Sequence, residues 1–526
     1  MRTSLSRRTM PSPRDLLDGM LGRVTMYRLV TLVLAALVVV MVAFTAAGTF
    51  TTPFTVAAEL LTVAVLLVAS YASSRLFGLI WRVRPHTESS IITALLLFFI
   101  FWPSTAFASL VWLAGAAVLA NLSKYLLAWR GRHLFNPTAS GTFLVVVVQK
   151  LVGSEAIAPT WWVASEKLLP FVAVGAFLVL WRTRRLDLGL LFIVLAGGLT
   201  IWGLAAGFGA GYGDALQTTA NSYAVVFIAG FMLSEPLTQP PRRWQQLLVA
   251  AVVSVLISYP TWISVFDTAP VSVGGIGVTQ ELALLVGNLV AFGFARRRGL
   301  SFELEGICRL TPETHELTFR ALTPMIFRPG QYVELTVPHP GVDSRGTRRT
   351  FSISSPPSGG GRVTITLRVP EKPSTFKRAL LALEPGDLIH GSGVGGDFLW
   401  PSDTSSPLLL VAGGIGITPF LSQLRHESAR DAVLVYGVSS PEEMPFDAEL
   451  ARAAVVLVGP ARPDILPHGW TFVKAPFLSA ELIADVVPDL ASRRAYISGP
   501  PAMVNAVRAG LAKRCDGIRT DYFTGY

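Results

Sequence analysis

Val411-Ala412-Gly413-Gly414-Ile415-Gly416-Ile417-Thr418-Pro419 is the stretch that decides the fold of the C-terminal half. It continues the apolar run Leu408–Ala412, which has the length of a buried strand, and leads into a segment of helical length. Glycines 413, 414 and 416 let a phosphate group approach the backbone of the turn, and Thr418 and Pro419 open a helix whose positive end faces that anion. A Gly-rich turn alone is weak evidence. Placed between a buried strand and a helix, it reads as a seat for a dinucleotide diphosphate. Further runs at Ala432–Tyr436, Ala453–Val458 and Ala495–Ile497, separated by helix-length segments, predict an open, mainly parallel α/β sheet over residues 402–526.

Between residues 299 and 401 the pattern changes. Phe302 and Leu304 alternate with Glu303 and Glu305, and Gln331–Val337 and Arg362–Val369 alternate similarly between Pro-Gly and Gly-Gly turns. That spacing predicts a small antiparallel β-barrel. Within it lies Arg348-Arg349-Thr350-Phe351-Ser352-Ile353-Ser354. These residues supply a guanidinium fork for a diphosphate, an aromatic ring to lie against a flat heterocycle, and the hydroxyls of Thr350 and Ser352 for hydrogen bonds. Ser374 and Thr375 precede a helical run, Phe376–Leu383, where backbone N–H groups can meet a second phosphate.

The first half is of another kind. The 526-residue chain is 51% apolar and only 15% charged, and the excess apolar content lies between Tyr27 and Phe294. Ten runs are candidates for crossing a membrane: Tyr27–Phe50, Phe54–Trp81, Ile91–Trp102, Ala106–Leu122, Thr138–Val148, Leu168–Trp181, Leu188–Ala206, Ser222–Leu233, Leu247–Ile263 and Leu282–Phe294. Several are short of the roughly 20 residues a full span needs. Every second loop is basic, with Arg82/Arg84, Lys124/Arg130/Arg132, Arg182/Arg184/Arg185, Arg242/Arg243 and Arg296/Arg297/Arg298. The alternation predicts an even number of crossings with both ends cytoplasmic. The net charge of +10 is thereby assigned to membrane topology rather than to nucleic acid binding. Residues 1–26 read as a cytoplasmic tail, with no small-residue cleavage pattern after a short apolar core. The reading is a cell-membrane, multi-pass domain over residues 27–298, followed by a flavin domain over 299–401 and a nucleotide domain over 402–526.

Two isolated cysteines, Cys308 and Cys515, exclude a cysteine-ligated iron–sulfur cluster within the chain, and no metal site is expected. A haem-bearing ferric reductase or NADPH oxidase needs histidine pairs inside its helices; the first half has only His86 and His133, both at helix ends.

The order of motifs in the second half resembles the ferredoxin–NADP reductase-like flavoprotein superfamily. Arg349-Thr350-Phe351-Ser352 is similar to its Arg-x-Tyr-Ser motif with Phe for Tyr, and Ser498-Gly499-Pro500 is similar to its Cys-Gly-Pro motif with Ser for Cys. The resemblance implies FAD on Arg349, Thr350, Phe351, Ser352, Ser374 and Thr375. It implies a nicotinamide nucleotide on Gly413, Gly414, Gly416, Thr418, Pro419, Gly499 and Pro500. Ser352 would reach the flavin N5 edge, Ser498 would lie beside the nicotinamide, and Tyr526 would cover the flavin face. Ser439, Ser440, Glu442 and Glu443 follow the second strand, and carboxylates there repel a 2′-phosphate, so NADH is expected over NADPH.

In the first half, two stretches stand out: His133-Leu134-Phe135-Asn136-Pro137-Thr138-Ala139-Ser140-Gly141 and Met232-Leu233-Ser234-Glu235-Pro236-Leu237-Thr238-Gln239-Pro240-Pro241. They resemble the membrane subunits of two ion-motive electron-transport complexes, the Rnf complex and the sodium-pumping NADH:quinone reductase. That family implies a membrane flavin attached to a threonine in a Ser-Gly-Ala-Thr type motif. Trp161–Lys167 stands where the motif is expected, and Ser140-Gly141-Thr142 is the nearest string. Any membrane cofactor here is therefore expected to be noncovalent or absent, with a second flavin or a quinone as the candidates. The combined expectation is a membrane flavoprotein passing electrons from cytoplasmic NAD(P)H through FAD to a quinone, a second flavin or a partner protein. An ion transporter or redox-driven pump component with an NADH-sensing flavin domain is the alternative.

Overall fold

The computed structural model describes residues 21, 25–50, 54–83, 85–129, 132–273, 276–294, 300–341, 343, 347–358, 360–427, 429–444, 450 and 453–523. The chain forms two compact units, one within residues 23–296 and one within residues 297–526.

The first unit is helical. Its helices are α1 Met26–Ala46, α2 Val56–Ile80, α3 Thr87–Ile100, α4 Phe107–Leu126, α5 Pro137–Leu151, α6 Leu169–Arg182, α7 Leu186–Phe208, α8 Tyr212–Ser222, α9 Val225–Leu233, α10 Arg243–Ile257, α11 Tyr259–Trp262 and α12 Gln280–Phe294. Two short antiparallel pairs lie between helices, β1 Ala128–Trp129 with β2 Arg132–His133 and β3 Ser272–Val273 with β4 Ile276–Gly277. Each of the ten apolar runs falls on these helices, yet among the described residues only α1, α2, α4 and α7 are long and apolar enough to cross a membrane. Two bent pairs, α8 with α9 and α10 with the turn Tyr259–Phe266, would raise the number to six. The expected bundle of about ten membrane helices, several of them short, is thus not confirmed by helix length and composition. α3 and α6 have 14 residues and α12 has 15, which is about 21–23 Å of helix against about 30 Å of hydrocarbon.

The early stop of α3 has a local cause. Its last turn, from Leu97 to Ile100, is fully buried, so its orphan carbonyls need partners from the protein. The backbone N–H groups of Thr160 and Trp161 both donate to Ile100 O at 2.9 Å. The Trp162 indole N–H donates to the Phe98 and Phe101 carbonyls, each at 2.8 Å. Trp161 takes φ +49°, a left-handed conformation rare for a non-glycine residue, to turn the loop onto the helix end. A second irregular segment, the π-helix Ile228–Leu233 within α9, is buried along its whole length.

The second unit has two lobes. In the first, β5 Leu300–Arg309, β6 Thr314–Ala321, β7 Tyr332–Thr336, β8 Arg348–Ser352, β9 Arg362–Arg368 and β10 Leu388–Gly395 form one antiparallel sheet in the order β8-β7-β10-β5-β6-β9. The expected barrel is not closed. Just past β8 there is one isolated bridge to the middle of β9 among the described residues, Ile353 to Ile365, and Pro356-Pro357, which carry no N–H, follow after Ser354 and Ser355. β8 is therefore an edge strand. A short helix, α13 Thr375–Leu381, closes the core with Phe376 and Leu380.

In the second lobe, β11 Leu408–Gly413, β12 Ala432–Gly437, β13 Ala454–Gly459, β14 Thr471–Lys474, β15 Arg494–Gly499 and β16 Ile518–Tyr522 form a fully parallel sheet in the order β14-β13-β12-β11-β15-β16. β11 is buried at every position, as a central strand covered on both faces must be. Helices α14 Thr418–His426, α15 Ala480–Val486 and α16 Pro501–Leu511 follow β11, β14 and β15. The order of strands reverses between β11 and β15, which opens a crevice at their carboxyl ends.

Replacing Trp162 by Phe keeps a ring against Phe54, Phe98 and Phe99 but removes the donor to two buried carbonyls. Trp162→Phe should cost about 1–3 kcal/mol, seen as a lower melting temperature of the purified protein. An unchanged melting temperature would show that this indole does not hold the end of α3.

Candidate functional site

The crevice is built by two glycine turns from strands adjacent only in space. β11 ends at Gly413 and passes through the tight turn Gly414–Ile417 into α14, while β15 ends at Gly499 and passes through Pro500 into α16. A Cβ on Gly416 would lie 2.5 Å from the Ser498 carbonyl oxygen and 2.7 Å from the Gly499 Cα, and one on Gly413 would lie 2.5 Å from the Met503 sulfur. Gly414 has φ +51° with open space where its Cβ would be. Two of the glycines thus let the turns touch, and the third leaves an unfilled approach to the backbone. Thr418 is fully buried, its hydroxyl donating to Ile415 O at 3.1 Å, and this closes the turn from inside.

Ser498 lies fully buried on β15. Its hydroxyl is among the buried polar atoms with no hydrogen-bond partner among the described residues, an unusual condition that fits a site completed by a ligand. Asp521 of β16 is its register partner. Burial, with the neighbouring Asp397 charge adding to it, lifts the Asp521 carboxyl from 3.8 to about 6.

The flavin-type residues are split by the period of β8. Arg349 and Phe351 share one face, where both meet Phe376: the Arg349 guanidinium lies 5.1 Å from the ring centroid, and the Phe351 ring stacks at 6.0 Å. Arg349 also donates to Arg348 O at 2.6 Å and faces Asp343 at 3.3 Å, so its plane is set by its neighbours. Thr350 is exposed and Ser352 buried on the opposite face. Only a ligand lying along the sheet edge reaches both faces, and β8 is such an edge. The Ser374 hydroxyl caps α13 by accepting from Lys377 N at 3.3 Å. The Thr375 hydroxyl is engaged by His339 at 3.1 Å and by the Asp343 N–H at 3.2 Å. Phe376, His339 and Asp343 belong to no motif, and no sequence signal marks them apart from the position of Phe376 at the start of α13. Tyr526 lies outside the described residues.

The lobes are joined next to the crevice. Ser422 and Arg425 of α14 donate to Ser355 O at 2.6 Å and Ser354 O at 3.0 Å, and Tyr496 donates to Leu399 O at 2.8 Å. The helix that opens the nucleotide turn is therefore fastened to the residues that leave β8.

In the helical unit the two irregular motifs meet. One Glu235 carboxylate oxygen is 2.9 Å from His133 Nε2, and the other accepts from the Asn136 amide at 3.0 Å and the Thr238 hydroxyl at 3.3 Å. Asn136 also caps α5, its Oδ1 accepting from Ala139 N at 3.1 Å, so the ordinary capping role and the contact to Glu235 coexist. These groups border a cavity of about 50 Å³ lined by Tyr27, Thr93, Asn136, Phe231, Ser234 and Glu235, among others. Behind Thr93, the Lys124 ammonium donates to Ser89, Thr93 and Asn121 at 3.0–3.3 Å.

Comparison with known proteins bears on the second unit. Residues 410–509 match the model of the oxidoreductase NAD-binding domain. The unit is a reductase-like module. The reductase component of propane 2-monooxygenase from Mycolicibacterium smegmatis is 26% identical over 235 residues, 40% of this chain and 65% of that protein. NADH oxidoreductase HCR from Escherichia coli is 28% identical over 202 residues, 38% of this chain and 59% of that protein. The chain thus spans less than two thirds of the length of these relatives. Among solved structures, the Amycolatopsis cytochrome P450 reductase GcoB is similar at 22% identity and a TM-score of 0.36, covering 43% of this chain and 70% of that one.

Two outcomes follow from the crevice. Gly416→Ala drives a methyl into backbone and should cost about 1–3 kcal/mol, whereas Gly414→Ala meets no neighbour and bears only the positive-φ strain of about 1 kcal/mol; denaturant unfolding of both variants ranks them. For Asp521, the folded state holds the proton more tightly than the unfolded chain, so its contribution is complete below pH 3.8 and is lost as pH rises through about 6. Asp521→Asn should therefore raise the melting temperature at pH 8 and leave it unchanged near pH 4, where the carboxyl is already neutral.

Proposed function

We propose that this chain is a multi-pass cell-membrane flavoprotein oxidoreductase, with its N-terminus and reductase module cytoplasmic, that takes reducing equivalents from NADH through FAD to an acceptor in or across the helical unit. The observation that carries this reading is the juxtaposition of the Gly413–Gly416 and Gly499 turns with an edge strand bearing a preset arginine.

The residues present fit both cofactors. The Gly414 approach and the amino end of α14 suit a nucleotide diphosphate, with Thr418, Pro419 and Pro500 fixing the two turns. Arg349 suits the FAD diphosphate, Phe351 the ring, and Ser352 the opposite face of the same edge. FAD, when bound, accepts a hydride pair and releases electrons singly, which is chemistry of the cofactor. The protein's part is placement: α14 is tied to Ser354 and Ser355, so the nucleotide turn and the flavin edge keep one spacing. Ser498 would lie beside the nicotinamide and Tyr526 would cover the flavin face. The electron-accepting partners of the reductase relatives suggest a further acceptor here as well. A quinone or a noncovalent second flavin in the helical unit is the acceptor proposed, in keeping with the resemblance of the stretches at His133–Gly141 and Met232–Pro241 to the membrane subunits of the Rnf complex and the sodium-pumping quinone reductase.

A redox-driven pump component is the second reading, favoured by Lys124 and Glu235, ionisable groups set into an apolar helical unit. Ion flux in proteoliposomes that depends on NADH oxidation would select it, whereas flux without NADH oxidation would select an ion transporter whose flavin domain only senses NADH.

The test is anaerobic titration of the full-length protein with NADH, which should bleach a flavin absorption band. Arg349→Ala should weaken flavin retention about ten- to hundredfold, measured as flavin per protein after gel filtration. Full flavin content in that variant, or no bleaching in the parent, removes the assignment.

A further inference from the structure

In the loop that follows β12, Glu443 is held from both lobes. Its Oε2 accepts from the Ser439 hydroxyl at 2.5 Å, and its Oε1 meets Arg368 Nη2 at 2.7 Å. Arg368 is the last residue of β9, in the flavin lobe, and its Nε also meets Glu313 at 2.7 Å. One guanidinium is thus shared by a carboxylate from each lobe. The Glu443 side chain is 17% exposed and that of Arg368 46%, so the carboxylate is enclosed while the cation stays open to solvent. Glu442, next to it, is solvated and hydrogen-bonded within its own turn, to Ser440.

In doubly wound parallel sheets whose first strand carries the glycine turn, an acid about 20 residues on meets the adenosine ribose, and an acid or a cation there selects between a free 2′-hydroxyl and a 2′-phosphate. We infer that the Arg368–Glu443 pair sets the nucleotide preference, with Glu443 acting as a built-in anion on a guanidinium that would otherwise bind the 2′-phosphate of NADPH. The inference rests on the proposed use of nicotinamide nucleotides and deepens it. Of the two glutamates after β12, it assigns discrimination to the one anchored across the lobes. It also makes a residue of the flavin lobe a specificity element of the nucleotide site. The chemistry is exchange of one anion for another on a planar fork suited to both carboxylate and phosphate.

The experiment measures kcat/KM for NADH and NADPH, and binding of 2′-AMP by calorimetry, on the full-length protein and on Glu443→Gln, Glu442→Gln and Glu443→Gln/Arg368→Gln. Glu443→Gln should raise the NADPH/NADH ratio of kcat/KM at least about tenfold, one guanidinium–phosphate contact, and bring 2′-AMP binding into range. Glu442→Gln should move the ratio far less, and the double variant should lose both gains. An unchanged ratio and unchanged 2′-AMP binding in a folded Glu443→Gln protein overturn the inference, as does a gain that survives loss of Arg368. A parent protein that oxidises neither nucleotide overturns the functional reading itself, and the two failures are told apart by the parent alone.

Discussion

The second unit depends on one close approach, that of the Gly416 turn to the backbone at Ser498 and Gly499. Two parallel strands lie about 4.8 Å apart, and the turns leaving their carboxyl ends collide if either carries a Cβ at the point of contact. With glycine there, β11 and β15 can be neighbours, the strand order can reverse between them, and a crevice opens at their ends. The flavin edge, the lobe junction and the loop after β12 are all placed with reference to that crevice.

The junction shows how a short helix is made to serve two lobes. α14 begins in the nucleotide turn and is buried from Thr418 to Leu424, and its polar side chains Ser422 and Arg425 end on carbonyls of the chain leaving β8. Hydrogen bonds to backbone carbonyls specify a distance more tightly than apolar contact does. Arg368 and Glu443 add a second, charged link between the same lobes.

In the helical unit, irregular backbone is matched by dedicated donors. The broken end of α3 is served by the Trp161-Trp162 loop, and the break between α4 and α5 is served by Asn136, whose own N–H donates to Asn288 at 2.7 Å. Glu235 and Lys124 are likewise embedded in amide and hydroxyl groups. Such helices can stop short because their end groups find partners inside the unit.

What the amino-acid sequence determined by itself was whatever is written in a short window. The strand–glycine–helix turn is legible because its physics is local, and so are the central strands, whose apolar runs reflect burial on both faces. β14 and β16 carry no such signal, since edge strands such as Ile518–Tyr522 have mixed residues and no apolar run. Helix length is hidden for a related reason. Hydropathy reports that Ile91–Trp102 is apolar, but the stop at Ile100 is set by Thr160, Trp161 and Trp162, far along the chain. The flavin motif names Arg349, Phe351 and Ser352, yet only the sheet reveals that they occupy two faces of an open edge. The tertiary structure alone brought Glu235 to His133 and Asn136, Arg368 to Glu443, and Gly416 to Gly499. These contacts join residues far apart in the chain, and their partners are chosen by packing and strand order, which no local pattern encodes.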